Sequence, residues 1–375
     1  MAQITYLTNT LFDHGAVGQL PKELHRLAIR RPLIVTDPGV RAAGLLDRVL
    51  DVLPAGGDLP LFDLAPSNPT EESVLAAHAR YREQSCDGVV GLGGGSSMDL
   101  AKAVALLAGS GGPLGRFDPL IGGAKLIVDV APIVAIPTTA GTGSEVSVGF
   151  VIVMKDGRKL TFASPRLIPS VAICDPDLTL ALPPLLTAAT GMDAITHCIE
   201  AVLSPVVNPP AEGIAYDGLH RAWRSIEAAV GDGSDRAARW NMMMASTEGA
   251  LAFVKGLGAV HAMSHAAGRL SDLRLHHGTL NAVILPTILR YNAGTSDEKY
   301  TRLAQAMGLP AGTDLADAIA TRNVALGLPR GLRDMGIRES MVGDLARHAL
   351  ADLSTRTNPR PIDADAYASL FRAAF

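Results

Sequence analysis

Four of the chain's ten histidines, His261, His265, His276 and His277, fall within one short span. His261 and His265 are four residues apart, as are Asp193 and His197 in GMDAITHCIE, and residues at that spacing on a helix project from one face. A carboxylate with several imidazoles is a donor set for Zn²⁺ or Fe²⁺, and such a site with an open position acts as a Lewis acid. One such pair alone arises often by chance, and a lone helical histidine is most often packed or solvated. Two pairs and a third histidine in the same half of the chain make a metal centre the stronger reading. His14, His25, His78, His220 and His348 have no comparable company.

A second constellation is suited to phosphate. GVVGLGGGSSMDLAK, residues 88–102, reads as a buried strand entering Gly93, Gly94, Gly95 and Ser96 and then a helix. Glycines there let the backbone approach a ligand, and the open N–H groups of a helix start attract an anion. The G-x-G-x-x-G register beginning at Gly91 ends on Ser96, and no strand-end acid follows at the usual distance, so this is not the common dinucleotide fingerprint. A tight turn without a ligand stays an alternative. Asp37, closing the earlier strand LIVTD, suits either a ribose 2′-hydroxyl or a helix cap.

These residues need elements to hold them. The first half alternates short β-branched runs (RPLIVTD, LPLFD, CDGVVGL, APIVAIP) with helical patterns, which predicts βαβ units and a parallel sheet. VGFVIVM and KLTFAS flank DGR as a hairpin, and VAICDP closes the strand-rich half. From about Asp177 onward, segments such as PPLLTAATGMDAITHCIEAVL and RAARWNMMMASTEGALAFV carry apolar residues at helical spacing. The expected fold is a Rossmann-like α/β nucleotide-binding domain over residues 1–176 and an all-α metal-binding domain over 177–375.

Composition narrows the class. In 375 residues, 48% are hydrophobic and 19% charged, enough apolar side chain for two cores. The net charge of −4 comes from interspersed acids and bases with no basic block, which argues against nucleic acid. No apolar run reaches a membrane span, and MAQITYLTNT lacks signal-peptide character, so a cytoplasmic protein is expected. Cys86, Cys174 and Cys198 are too few and too scattered for a disulfide framework or a thiolate zinc site.

Taken together, VTD (35–37), SNPT (67–70), GLGGGSSMDLAK (91–102), IPTTAGTGSE (136–145), DP (175–176), TGMDAITHCIEA (190–201), GLGAVHAMSH (256–265) and HHGTLNA (276–282) resemble the iron-containing, group III alcohol dehydrogenases, with the dehydroquinate synthase-like fold. The resemblance implies Asp193, His197, His261 and His277 as ligands of Fe²⁺, with Zn²⁺ able to substitute. It implies NAD as cofactor: Gly94, Gly95 and Ser96 at the pyrophosphate, Thr138, Thr139, Thr142 and Lys159 approaching the cofactor, Asn68 beside the ribose and nicotinamide, and Asp37 at the adenine ribose. His265 is the candidate catalytic proton carrier. A homo-oligomer is also implied.

Within the family, PTTAGTGSEV, LTAATGMDAI, NPPA, KGLGAVHAMSH, LRLHHGTLNAV and a late TNP resemble 4-hydroxybutyrate dehydrogenases. That implies a primary alcohol as small-molecule substrate, oxidised to its aldehyde by hydride transfer, with Lys255 or Arg274 as candidate partners of a substrate carboxylate. The alternatives are a broad short-chain alcohol or lactaldehyde dehydrogenase, a maleylacetate reductase, and a dehydroquinate-synthase-like lyase. AAGRLSDLRLHH between His265 and His277 is longer than in typical relatives, and His276 stands where many carry Pro.

Overall fold

A computed structural model of the chain describes residues 9–54 and 59–375, so most of the stretch read for a signal peptide lies outside the described residues. Two compact units are present. Among the described residues, one holds those from 9 to 139 together with Gly143–Ala181, and the other holds Ala140–Thr142 with Leu182–Phe375.

The first unit is built on a six-stranded sheet. Its strands are β1 (Thr10–Phe12), β2 (Pro32–Val35), β3 (Leu61–Phe62), β4 (Gly88–Gly93), β5 (Ile133–Pro137) and, beyond the hairpin strands β6 (Gly149–Val153) and β7 (Lys159–Ala163), β8 (Val171–Cys174). The order β1-β8-β5-β4-β2-β3 is parallel throughout, while β6 and β7 pair antiparallel as the expected hairpin. β1 was not foreseen from the sequence: three residues are too short to show a period.

Residues of β2, β4, β5 and β8 are buried along their full length, as a parallel sheet covered on both faces requires. The strand period of two sorts them. Leu33, Val35, Val89 and Ile133 join one apolar core, and Ile34, Val90, Val134 and Ile173 join the other. Helices α1 (Leu20–Arg26), α2 (Pro38–Ala42) and α3 (Leu45–Leu50) supply Leu20, Val40 and Leu46 to the second core, and α4 (Glu71–Glu83) and α5 (Gly95–Ser110) supply Val74 and Leu100 to the first. Local chemistry starts several of these helices. Asp37 caps α2 ahead of Pro38, and Thr70 and Ser73 form a reciprocal capping box on α4.

The second unit is helical: α6 (Pro184–Leu203), α7 (Pro209–Gly231), α8 (Arg236–Ala252), α9 (Ala259–Ala267), α10 (His277–Asn292), α11 (Asp297–Ala306), α12 (Leu315–Ala325), α13 (Val342–Ala351) and α14 (Ala364–Ala373). The helical spacing of α6 suggested one apolar face, yet every residue from Thr187 to Leu203 is buried. Helices α7, α8 and α10 pack around it, so its polar residues face protein on every side. Among the described residues no helix is long and apolar enough to cross a membrane.

Candidate metal centre and nucleotide turn

Helix α6 presents Asp193 and His197 one turn apart, α9 presents His261 in its first turn, and His277 opens α10. From Asp193 Oδ1 the Nε2 atoms of His197, His261 and His277 lie at 3.7, 3.8 and 3.7 Å. A tetrahedral ion with ligand bonds of about 2.1 Å has edges of roughly 3.4 Å, so each of the three Nε2 atoms stands within a few tenths of an ångström of one such edge from Asp193 Oδ1, and Asp193, His197 and His261 offer ligand atoms that all lie within 4.8 Å of one another. The residues present therefore fit a divalent metal. Asp193, His197 and His261 are buried, whereas the side chain of His277 is 27% exposed, which leaves the centre open on one side.

The remaining ring nitrogens explain why the Nε2 atoms converge. His197 Nδ1 lies 3.2 Å from the Gly141 carbonyl oxygen, His277 Nδ1 is 2.9 Å from Ser264 Oγ, and His261 Nδ1 is 2.6 Å from Glu200 Oε2. A carbonyl or carboxylate neighbour requires the proton on Nδ1, so in the neutral rings of His197 and His261 it is Nε2 that carries the lone pair, toward the centre. Asn281, four residues after His277, donates from Nδ2 to Asp193 Oδ1 at 2.6 Å and also meets the Nε2 atoms of His261 and His277 at 3.2 and 3.1 Å.

Burial is the main reason that His197 is pushed down to about 4, against the opposing pull of Asp193, so its imidazole is neutral and needs no deprotonation to become a ligand. Burial acts the same way on His261, but hydrogen bonding and charge from Glu200, joined by Asp193, hold it above the ordinary histidine value. These carboxylates favour positive charge at the centre, which a divalent cation also satisfies. His265 stacks on His277 at 5.3 Å between ring centroids, and its Nδ1 meets Asp352 Oδ2 at 2.9 Å. Burial would raise the Asp352 carboxyl, but His265 and the Ser354 hydrogen bonds hold it below its ordinary value, so it is an anion.

The glycine turn follows different rules. Gly93, at φ 146°, has a backbone that L side chains rarely adopt, and its carbonyl accepts from Thr138 N–H at 3.0 Å. Gly94 caps α5 without a side-chain hydrogen bond, which leaves the first N–H groups of a 16-residue helix for an anion. A Cβ on Gly94 would enter the space beside Thr139, 3.5 Å from its side chain, and Thr139 Oγ1 is a buried hydroxyl with no hydrogen-bond partner among the described residues. An open helix start and an orphaned hydroxyl fit the pyrophosphate of a dinucleotide.

Two sequence-designated relatives of this turn have other engagements. Ser96 Oγ donates to the Ser67 carbonyl at 2.6 Å, so any phosphate contact falls to its main chain. Asp37 accepts from Gly39 N, Val40 N and Ser97 Oγ, serving as the helix cap that the sequence left as its other reading. Lys159 Nζ donates to Asn68 Oδ1 at 3.0 Å, which brings those two residues together, and Thr142 lies in the helical unit beside the Gly141 that meets His197.

Sequence models of two related families match the chain: iron-containing alcohol dehydrogenase over residues 8–176, and the C-terminal model of the Fe-containing alcohol dehydrogenase family over residues 187–375. The chain belongs to the iron-containing alcohol dehydrogenase family. A 4-hydroxybutyrate dehydrogenase of Cupriavidus necator is 54% identical, covering 98% of each chain. Among solved structures, a 1,3-propanediol oxidoreductase superposes with a TM-score of 0.94 at 35% identity over the whole of both chains. A sulfoacetaldehyde reductase from Bifidobacterium kashiwanohense, in complex with NAD⁺, gives 0.88 at 27% identity, with 100% of this chain and 98% of that one covered.

One expectation for this iron-containing alcohol dehydrogenase is corrected by the structure. Lys255 is 1% exposed, and its amine is held by Glu212 inside the helical unit, so it does not present a charge to a substrate carboxylate. Arg274 is exposed on the segment between His265 and His277, with a backbone φ of 48°. Sequence reasoning also passed over Glu200, Asn281, Ser264, Gly141 and Asp352. Glu200 and Asn281 carried a signal, standing one further turn along from the candidate ligands His197 on α6 and His277 on α10. Asp352 carried none, being 87 residues from His265.

Proposed function

We propose that this dehydrogenase oxidises 4-hydroxybutyrate to succinate semialdehyde with reduction of NAD⁺, using Fe²⁺, or Zn²⁺ in its place, held by Asp193, His197, His261 and His277. The observation that carries the substrate is the 54% identity to a 4-hydroxybutyrate dehydrogenase across nearly the full length of both chains. The convergent donor set supports the metal ligands. When bound, the metal supplies a Lewis acid that favours loss of the hydroxyl proton.

In this reading the main chain of Gly94, Gly95 and Ser96 receives the pyrophosphate, with Thr138, Thr139 and Thr142 alongside. The linked pair Lys159 and Asn68 serves the ribose and nicotinamide side, and Asp37 meets the adenine ribose and favours NAD over NADP. NAD⁺, when bound there, would supply the acceptor for the hydride of the reacting carbon, and the hydroxyl proton would leave to solvent. His265 carries that proton at Nε2, because Asp352 already holds Nδ1. Arg274 is the remaining candidate for the substrate carboxylate. A cytoplasmic setting and a homo-oligomeric state complete the proposal; none of the three cysteines forms a disulfide.

The test is NADH formation by freshly iron-loaded enzyme given 4-hydroxybutyrate or 1-butanol. Strong preference for the hydroxy acid is expected, with Arg274→Ala raising its KM about tenfold and leaving that of butanol unchanged, the worth of one charged contact. Equal rates on the two alcohols would overturn the substrate assignment in favour of a broader short-chain alcohol dehydrogenase, the reading that the likeness to a 1,3-propanediol oxidoreductase favours.

A further inference from the structure

Asp193 and Glu200 lie seven residues apart on α6 and are 1% and 5% exposed. Two buried negative charges need compensation, because an unpaired carboxylate inside a protein is costly. Among the described residues neither has a lysine or arginine partner. Asp193 meets His197, His261, His277 and Asn281, while Glu200 meets His261 and the backbone of Val260. The two carboxylates thus share His261, Asp193 facing its Nε2 side and Glu200 holding its Nδ1 at 2.6 Å.

Glu200 also organises the helix that carries this histidine. Gly258, the N-cap of α9, offers no side chain to the opening turn. The missing cap comes from elsewhere in the chain: Asn358 Oδ1 accepts from Ala259 N at 3.1 Å, and Glu200 Oε1 accepts from Val260 N at 2.8 Å. A Cβ on Gly258 would stand 2.8 Å from Glu200 Oε1 and 3.0 Å from Asn358 Oδ1, so the glycine leaves room for this arrangement. One carboxylate therefore fixes both the start of α9 and the ring orientation of its ligand. By contrast, the outer partners of His197 and His277 are a neutral carbonyl and a neutral hydroxyl.

We propose that Glu200 is a positioning residue and the second counter-charge of the metal centre, balancing a divalent ion jointly with Asp193 through the Nδ1–H of His261. The proposal rests on the metal reading above, and its consequence is specific. Removing the charge of Glu200 weakens metal binding far more than removing the neutral partner of His277, although both changes delete one contact to a ligand imidazole.

The experiment measures Zn²⁺ affinity of the demetallated enzyme by competition with a chromophoric chelator, for wild type, Glu200→Gln and Ser264→Ala, alongside NADH binding and the visible spectrum of the Co²⁺-loaded proteins. Glu200→Gln is expected to weaken Zn²⁺ about 10–100-fold and to change the Co²⁺ bands, with NADH affinity unchanged. Ser264→Ala is expected to cost no more than about fivefold, the worth of a neutral hydrogen bond. Affinity of Glu200→Gln within about twofold of wild type, or equal losses in the two variants, would overturn the proposal. If Glu200→Gln does not fold, Glu200→Asp carries the test, because it keeps the charge but withdraws it from His261. A several-fold loss supports the role, and wild-type affinity overturns it. Failure of the wild type itself to bind Zn²⁺ would instead remove the metal reading, a result distinct from either.

Discussion

The glycine turn of the α/β unit and the histidine centre of the helical unit are both equipped for ligands by opposite means. At the turn, the proposed recognition would fall to main-chain N–H groups, and the residues that shape it are those without side chains: Gly93 for its backbone angle and Gly94 for the space beside Thr139. At the centre the candidate donors are all side chains, drawn from three helices and fixed by a second ring of partners. A site of the first kind tolerates change until something fills it. A site of the second kind fails when any donor is removed.

The comparison is most sharply tested by losing a donor. His261→Ala should reduce turnover by about 10³-fold or more, the scale of several kcal/mol of Lewis-acid stabilisation, and should lower metal content measured after dialysis. Survival of both would break the side-chain half of the account. At the turn, Gly94→Ala should weaken NAD⁺ binding about tenfold while leaving the melting temperature unchanged, since its Cβ meets nothing closer than Thr139 at 3.5 Å. Gly93→Ala behaves differently: it destabilises the fold by about 1–3 kcal/mol, because φ is 146° and Ser97 Oγ lies 2.6 Å from the new atom. Equal melting temperatures for the two variants would contradict that division.

Asp37→Ala tests whether one carboxylate both caps a helix and selects a cofactor. It should cost about 1 kcal/mol in denaturant unfolding, the value of an N-cap, and narrow the NAD-to-NADP preference in kcat/KM. A loss of stability with an unchanged preference would leave Asp37 as a cap alone.

A separate effect concerns a carboxyl in the helical unit that the chemistry does not use. Burial, reinforced by neighbouring Asp217, pushes Glu248 up to about 8 from its ordinary 4.5. Between those values the folded chain keeps a proton that the unfolded chain has lost, so stability falls as pH rises through that window. Glu248→Gln should flatten this slope in urea titrations without altering metal affinity. An unchanged slope would remove Glu248 from the explanation.

The difference between the two regions also decides what the sequence discloses. The strand alternation and the glycine run are local signals, so the parallel sheet and the turn were legible, as was the candidate ligand pair Asp193 and His197 one helical turn apart. The outer partners are separated from their histidines by 61 residues for Glu200 and 56 for Gly141, beyond any periodicity. Asp37 shows the converse: a local signal with two chemical meanings, of which the fold displays the cap. Lys255 looked available because its partner Glu212 comes from another helix, 43 residues away.

The central claim is that Asp193, His197, His261 and His277 surround one divalent metal. Anomalous diffraction at the iron absorption edge, on crystals of iron-loaded enzyme, tests it most directly. The account predicts one strong peak within bonding distance of Asp193 Oδ1 and the three Nε2 atoms. A peak elsewhere, or none here in crystals of active enzyme, would contradict it.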